Sequence, residues 1–226
     1  MISLSKRLSV IAEMVPSCGV LADVGTDHGY LPVYLLQQGS IKRVLASDIH
    51  LGPLRKARET AEQFGLSDRM ETILADGLQF PGSEQAEVIT ICGMGGETMI
   101  SILEAAPWTA DHRRLILQPQ SKLPELEEWL KDRHFSIDDA RLCLDGGKLY
   151  LALSVLGGAA WKRNAEETLC MKRDALFPEY IRKEYQKAMH ARDGLLKSSG
   201  EHTELLCKLR LRINTLEQYE REILKW

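Results

Sequence analysis

Cysteine is scarce in this sequence, and its spacing argues against a metal site. The five cysteines among 226 residues form no Cys-x-x-Cys pair, and an odd number cannot all join in disulfides within one chain. Structural zinc sites are normally built from closely spaced Cys and His ligands. The sequence therefore predicts reduced thiols, no bound metal and no disulfide framework.

Long apolar runs are also missing. No stretch approaches the roughly 18 uninterrupted apolar residues of a membrane-spanning helix, and residues 1–15 alternate charged and apolar side chains. We therefore expect no membrane segment, no secretion signal and a cytoplasmic location. Aromatic residues make up only 6%, but 44% hydrophobic and 27% charged residues are typical of a globular protein. This composition excludes a disordered or fibrous chain.

Short apolar stretches alternate with helical patterns through the first two thirds of the chain. They predict buried parallel strands at 20–24, 44–49, 70–75, 86–92 and 114–119. Helices are predicted at 4–15, 29–38, 53–64, 96–105 and 123–132. Two further strands flank Gly146-Gly147, which is a hairpin signal. An α/β Rossmann-like sheet that ends in an antiparallel hairpin is the class I methyltransferase architecture.

The remaining residues, 159–226, are predicted to form a second domain of helices at 165–175, 178–197 and 202–225, with Ser-Ser-Gly at 198–200 between the last two. Apolar residues recur every three or four positions in the last helix, which indicates a C-terminal α-helical hairpin. The predicted domains are therefore 1–158 and 159–226.

A glycine-containing loop follows the first strand and precedes a helix. A dinucleotide fingerprint would need glycine at 25, 27 and 30, but Asp27 and Tyr30 occupy two of these positions. Acidic side chains repel phosphate and suit a ligand with an amino group and a sulfonium charge, such as S-adenosylmethionine. A simple turn is the alternative. The predicted cofactor contacts in this loop are Asp23, Gly25, Thr26 and Gly29.

Acidic residues also follow the second and third strands. Asp48, with Ile49 beside it, is placed to accept hydrogen bonds from ribose hydroxyls, 25 residues after Asp23. Asp76 could accept from an adenine amino group, while Gly77 admits the ring. Because Asp is also a common helix cap, each position alone has a structural explanation. Three acids in register favour a nucleoside-containing cofactor.

Glycines and amides follow the fourth and fifth strands, where an open α/β sheet binds its ligands. Glycines let the backbone approach a flat substrate closely; a structural tight turn before the next helix is the alternative. The sequence Leu117-Gln118-Pro119-Gln120 offers two side-chain amides to a base edge, or is a plain turn. The predicted contacts are Gly93 with the cofactor and Met94, Gly95, Gly96, Pro119 and Gln120 with the substrate.

Five segments together resemble the bacterial tRNA (adenine-22-N1)-methyltransferase family. They are LSKRLSVIAEMVP at 4–16, DVGTDHGYLP at 23–32, ADGL at 75–78, TICGMGG at 90–96 and RLILQP at 114–119. The resemblance covers residues 1–155, whereas the tail is similar only in being helical. Gln120 stands where this family often has Asn, and Asp48 where many members have Glu.

The resemblance implies methyl transfer from S-adenosylmethionine to N1 of an adenine in the D-loop region of tRNA. Because adenine N1 carries a lone pair, the reaction needs positioning more than a strong base. Asp27 could stabilise the cationic product or accept a proton, and His28 could assist. Two alternatives remain: methylation of another RNA or a small molecule, and a non-catalytic tRNA-binding module that keeps the nucleoside pocket.

The tail differs in charge from the rest of the chain. Residues 162–226 hold 14 Lys and Arg against 11 Asp and Glu, whereas residues 1–161 hold 15 against 21. We expect the tail to engage tRNA phosphates through Lys208, Arg210 and Arg212, in a monomer or a weak homodimer. Alternatively, the helical hairpin only packs on itself or mediates dimerisation.

Overall fold

The computed structural model describes residues 2–198 and 202–226, and its centre is one seven-stranded sheet. The strand order is β3-β2-β1-β4-β5-β7-β6, with β1 to β5 parallel and β7 antiparallel to both neighbours. The strands are β1 Cys18–Val24, β2 Ile41–Asp48, β3 Met70–Leu74, β4 Val88–Met94, β5 Arg114–Pro119, β6 Phe135–Asp145 and β7 Lys148–Gly157.

Helices precede, connect and follow these strands. They are α1 Lys6–Met14, α2 Tyr30–Gln38, α3 Leu51–Gln63, α4 Gly96–Glu104, α5 Leu123–Asp132, α6 Ala165–Lys172, α7 Phe177–Lys197 and α8 Thr203–Ile223. The predicted fold class is confirmed, since every predicted strand and helix up to residue 158 is present with small shifts at its ends. No helix in the described ranges combines the length and apolar character needed to cross a membrane.

Local sequence explains where these elements begin and turn. Ser5 caps α1, because its hydroxyl accepts a hydrogen bond from the Leu8 N–H at 3.3 Å. Gly146 and Gly147 both have positive φ and form the two-residue turn between β6 and β7. The apolar strand residues are buried on both faces of the sheet, as expected when helices cover a parallel sheet.

The strand order reverses between β1 and β4, and this reversal locates the ligand crevice. From β1 the chain continues outward to β2 and β3 on one side, and from β4 to β5 on the other. Ligands of open α/β sheets bind at the carboxyl ends of the strands at such a reversal. A bulge between Cys92 and Met94 leaves Gly93 unpaired at the end of β4, directly in this region.

The C-terminal helices form their own compact unit. Contacts divide the chain after Ala165, so that the second unit is Glu166–Trp226 and begins seven residues later than the predicted boundary at 158/159. Residues after β7 stay with the first unit, where the Ala165 N–H donates to Glu127 Oε1 at 2.7 Å. The sequence GAAWKRNA at 158–165 has no periodic pattern that would have predicted this extension.

The helical hairpin is confirmed by its aromatic core. Phe177, at the start of α7, contacts the rings of Tyr219 and Trp226, near the end of α8. The beginning of one helix therefore meets the end of the other, and the two helices run antiparallel. Ile213 and Leu216 of the predicted apolar stripe are buried, whereas Leu205 is exposed. The predicted break at 198–200 lies, after Ser198, outside the described residues.

Candidate functional site

The loop after β1 is anchored to the end of β2. The N–H groups of Gly25 and Thr26 both donate to the Ser47 carbonyl, at 2.8 and 3.2 Å, and the Gly29 N–H donates to Thr26 at 2.9 Å. Gly25 has a φ of +71°, which glycine adopts without strain. These bonds hold residues 25–29 as a fixed turn at the carboxyl edge of the sheet.

Asp23 is a buried acid beneath this loop. It is 5% exposed, and Thr90 of the neighbouring strand β4 donates its hydroxyl to Asp23 Oδ1 at 2.5 Å. Burial raises the pKa of Asp23, the hydrogen bond from the Thr90 hydroxyl opposes the rise, and the nearby Asp48 carboxylate adds to it. A cation bound at this edge would relieve the cost of the buried negative charge.

Sequence reasoning missed Thr90. A threonine inside a β-rich stretch predicts only a strand, because β-branched residues are common in strands regardless of function. Its hydroxyl matters because β1 and β4 are neighbours, with Asp23 directly opposite Thr90 in the register. That pairing depends on the strand order, which periodicity does not reveal.

The ends of β2 and β3 place the other two acids near each other. Ala75 donates its N–H to the Asp48 carbonyl at 3.1 Å, so Asp76 follows directly beside the end of β2. Asp48 is half-buried, and its Oδ1 accepts the His50 N–H at 2.8 Å. Ile49 is 57% exposed and is therefore accessible for an apolar contact with a ligand ring.

Met94 lies across the glycine loop. A Cβ on Gly25 would displace Met94 Cε, the flexible end of that side chain, so it is the positive φ angle that favours glycine here. The ends of β1 and β4 thus approach each other closely through one glycine and one flexible side chain. Gly25, a predicted cofactor contact, and Met94, a predicted substrate contact, therefore lie next to each other in the crevice.

Three of the predicted contact glycines pack closely against neighbouring elements, and their predicted ligand contacts stay predictions. Gly29 faces Ala57 of α3, Gly77 faces Ile102 of α4, and Gly96 faces the Lys122 carbonyl. A Cβ at Gly77 would lie 2.8 Å from Ile102, and one at Gly96 would clash with that carbonyl. At these three positions, close packing against a neighbouring element is by itself a sufficient reason for a residue without a side chain. Gly95 begins α4 as its N-cap residue.

The end of β5 presents one amide to the crevice, not the two suggested by the sequence. Gln118 is 1% exposed, its Oε1 accepts from Arg7 at 3.1 Å and its Nε2 donates to the Pro119 carbonyl at 3.3 Å. Both ends of this amide are therefore used within the protein. Pro119 is buried, whereas Gln120 is exposed and its backbone N–H donates to the Met94 carbonyl at 2.9 Å.

The predicted catalytic pair lies at the mouth of the crevice. Asp27 has a φ of +50°, and its side chain is 72% exposed. His28 Nε2 is 3.7 Å from Asp27 Oδ1, and the His28 ring stacks on Tyr30 with 5.2 Å between centroids. An exposed carboxylate and an aromatic pair can both meet a substrate base, so these residues stay candidates for the chemistry.

The three predicted tail cations do not share one surface. At 100° per residue, Arg210 points away from the face that carries Lys208 and Arg212. Arg212 forms a bidentate ion pair with Glu166, whose side chain is only 8% exposed. Lys208 pairs with Glu204 one turn earlier at 2.7 Å, and Arg210 is exposed. Arg212 therefore stabilises the helical unit, and its predicted tRNA contact stays a prediction.

The donor set fits S-adenosylmethionine better than a metal or a dinucleotide. Carboxylates at the ends of β1 and β2 and after β3 suit a ribose, an adenine amino group and a cationic ligand. Among the described residues, no group of three His, Cys, Asp or Glu side chains is arranged to hold a metal ion.

Comparison with known proteins agrees with this geometry. The Methyltransferase domain family matches residues 4–153. The Bacillus subtilis tRNA (adenine(22)-N(1))-methyltransferase is 35% identical over 158 residues, which cover 70% of this chain and 66% of that protein.

Two solved structures match nearly the whole chain. The B. subtilis m1A22 tRNA methyltransferase TrmK has a TM-score of 0.84 at 28% identity, with 97% of this chain and 99% of that chain covered. Streptococcus pneumoniae Sp1610 in complex with S-adenosyl-L-methionine has a TM-score of 0.81 at 33% identity, with the same coverage. The chain therefore belongs to the bacterial tRNA (adenine-22-N1)-methyltransferase family.

Proposed function

We propose that this protein methylates N1 of the adenine at position 22 of tRNA, with S-adenosylmethionine as the methyl donor. The observation that carries the proposal is the set of three acids, Asp23, Asp48 and Asp76, at the carboxyl ends of adjacent parallel strands. Similarity to the B. subtilis enzyme and to the S. pneumoniae structure supports both the reaction and the cofactor.

Each acid has a distinct role in holding the cofactor. Half-buried Asp48 accepts hydrogen bonds from the ribose hydroxyls, and exposed Asp76 accepts from the adenine amino group. Buried Asp23 supplies negative charge below the loop that the cationic end of the cofactor approaches. Ile49 offers an apolar surface to the adenine ring.

The chemistry requires orientation and charge stabilisation. When bound, the cofactor would supply an electrophilic methyl group: adenine N1 supplies the electron pair of the new bond, and the methyl–sulfur bond breaks with its electron pair remaining on sulfur. The protein has to hold adenine N1 in line with the methyl–sulfur bond. Such positioning gives a large rate gain without a strongly basic side chain. The product base is cationic, so the exposed carboxylate of Asp27 stabilises it or accepts a proton from the exocyclic amine, with His28 beside it.

The helical unit extends the substrate contact beyond the crevice. A single adenine pocket cannot select one position in a folded tRNA, so contacts to phosphates elsewhere must fix the orientation. We assign this role to the exposed cations of Glu166–Trp226, with Arg210 and Lys208 ahead of Arg212, because the Lys208 pair with Glu204 is solvent-exposed whereas Arg212 is held by buried Glu166. The protein acts on tRNA in the cytoplasm as a monomer or a weak homodimer.

A methyl-transfer assay on unfractionated tRNA, combined with calorimetry of cofactor binding, tests the proposal. We expect labelled methyl in tRNA and a loss of cofactor affinity in Asp48→Ala. Asp68→Ala is the matched control, since Asp68 is an exposed acid before the amino end of β3. Cofactor binding without incorporated label would instead indicate a non-catalytic module, and label in other RNA or small molecules alone would indicate a different substrate.

A further inference from the structure

Arg7 of α1 lies at the substrate side of the crevice, although no sequence pattern assigned it a role. Its Nη1 donates to Gln118 Oε1 at 3.1 Å, and its guanidinium lies over the Tyr150 ring, 5.4 Å from the centroid. Its backbone N–H donates to Asp145 Oδ2 at 3.1 Å. The ends of β5, β6 and β7 therefore fix both the backbone and the side chain of Arg7.

The Arg7 guanidinium forms no direct ion pair with a carboxylate of residues 2–198 and 202–226, whereas Arg43, Arg114 and Arg141 each form one. The Asp145 carboxylate, which accepts the Arg7 backbone N–H, interacts with the side-chain charge only from beyond ion-pair distance. Arg7 is also half-buried. A partly desolvated guanidinium whose nearest carboxylate does not contact it can bind an anionic ligand directly.

The position of Arg7 separates it from the cofactor acids. Asp76, Asp48 and Asp23 lie at β3, β2 and β1, whereas Arg7 lies over β5 and β7 on the other side of β4. Adjacent strands are about 4.8 Å apart, so β1 and β5 are about 10 Å apart at this edge. The crevice thus has an acidic half for the cofactor and a cationic half opposite.

Two hydrogen-bond donors converge beside Gly93 in the cationic half. A Cβ on Gly93 would be in van der Waals contact with both, 3.4 Å from Arg7 Nη1 and 3.6 Å from Gln120 Nε2, so the two donors flank the bare Cα. Gln118 adds no third donor, because its amide is already bonded at both ends. Two donors and a positive charge at one place favour an oxyanion as the ligand.

We propose that Arg7, assisted by Gln120, binds the backbone phosphodiester of the nucleotide whose base is methylated. This inference rests on the proposed function, since it requires tRNA as the ligand. A guanidinium binds two phosphate oxygens through a planar fork, and Tyr150 and Gln118 hold that fork in place. Contact with the phosphate instead of the base also keeps the positive charge of Arg7 away from the cationic product.

Titration of tRNA binding against salt tests this proposal. For Arg7→Gln we expect tRNA affinity to fall about tenfold, the scale of one charge-assisted hydrogen-bonded contact. The slope of log affinity against log salt should become shallower by about 0.7 to 0.9, because one phosphate contact is lost. Arg7→Lys should keep the slope and recover part of the affinity. Cofactor affinity should remain within about twofold, because the cofactor acids lie elsewhere.

Arg141→Gln is the matched control, since Arg141 joins Glu13 of α1 to Asp139 of β6 without approaching the crevice residues named above. It should leave the salt slope unchanged. An unchanged slope in Arg7→Gln, or a cofactor affinity that falls as far as tRNA affinity, would overturn the proposal; the second result would assign Arg7 to the cofactor carboxylate. Methylation by the wild-type protein is measured in parallel, so failure of the proposed function is seen separately.

Discussion

At the scale of single residues, the buried carboxylate of Asp23 lowers the free energy of unfolding of the ligand-free protein and is proposed to strengthen cofactor binding. Its carboxylate is buried, and its pKa is raised chiefly by desolvation. When the pKa of an acid is higher in the folded state than in the unfolded state, ionisation destabilises the fold. This loss of stability is fully present above the pKa of the folded state and disappears as the pH falls below the pKa of the unfolded chain.

Asp23→Asn should therefore raise the unfolding temperature of the ligand-free protein near neutral pH, because the buried charge is removed while Thr90 can still donate to the new amide oxygen. The gain should shrink as the pH is lowered. Cofactor affinity should fall at least about tenfold, the scale of a charged hydrogen-bonded contact. Scanning calorimetry at several pH values and titration with cofactor measure both effects.

Asp48→Asn is the comparison for this substitution, since Asp48 is only half-buried at the same edge. It should weaken cofactor binding without the gain in stability. A ligand-free Asp23→Asn protein that is less stable than wild type near neutral pH would refute this account of Asp23.

Gly25 offers a second test, because Gly39 has nearly the same backbone conformation in a different environment. Their φ angles are +71° and +72°, but a Cβ on Gly39 meets nothing within 4 Å, whereas one on Gly25 clashes with Met94. Both alanine variants should lose about 1 to 2 kcal/mol through left-handed strain. Only Gly25→Ala should also lose cofactor affinity. Equal affinities in the two variants would argue against a role for the Gly25 loop.

The positions of the acids in the fold follow more directly from the sequence than the surroundings of the glycines do. Asp23, Asp48 and Asp76 follow strands at predictable places, and strand ends of a parallel sheet meet at one edge. Gly77 and Gly96 look alike in a sequence whether they face a ligand or a helix, and only the packing of Ile102 and Lys122 distinguishes the two. The cofactor and substrate roles of these residues remain predictions.

At the scale of elements, the ion pair between α6 and α8 controls the stability of the helical hairpin. Arg212→Ala would leave Glu166 buried without a partner, which typically costs about 3 to 5 kcal/mol. Exposed Arg210→Ala should change stability by less than about 0.5 kcal/mol. Hydrogen exchange across Thr203–Ile223 would measure the difference. Similar protection in both variants would contradict the assigned role of Arg212.

Elements with strong periodicity were predicted nearly to their ends, but the spatial relations between side chains were not. Helical spacing locates α8, yet it does not show that Arg212 turns toward Glu166, because that partner is 46 residues away. The same limit applies to Arg7 and Gln118, which are separated by 111 residues. Long-range polar pairs depend on the topology and leave no local pattern.

At the scale of the whole molecule, we expect the first compact unit to bind the cofactor and the second to contact tRNA phosphates. A chain that ends at Ala165 keeps every strand and the Ala165 bond to Glu127. We expect it to retain cofactor affinity and to lose most of its salt-dependent tRNA affinity, because the proposed phosphate contacts of the second unit are gone. Filter binding over a range of salt concentrations measures this loss. Full tRNA affinity in the shortened chain would refute the assignment of tRNA contacts to Glu166–Trp226.

The central claim is that the chain methylates one atom of one tRNA nucleotide. Its most direct test is mass spectrometry of a tRNA transcript incubated with the full chain and S-adenosylmethionine, alongside a transcript with guanine in place of adenine 22. We expect N1-methyladenosine at position 22 of the first transcript and no methylation of the second. Methylation at another position or atom, or equal methylation of both transcripts, would contradict the claim.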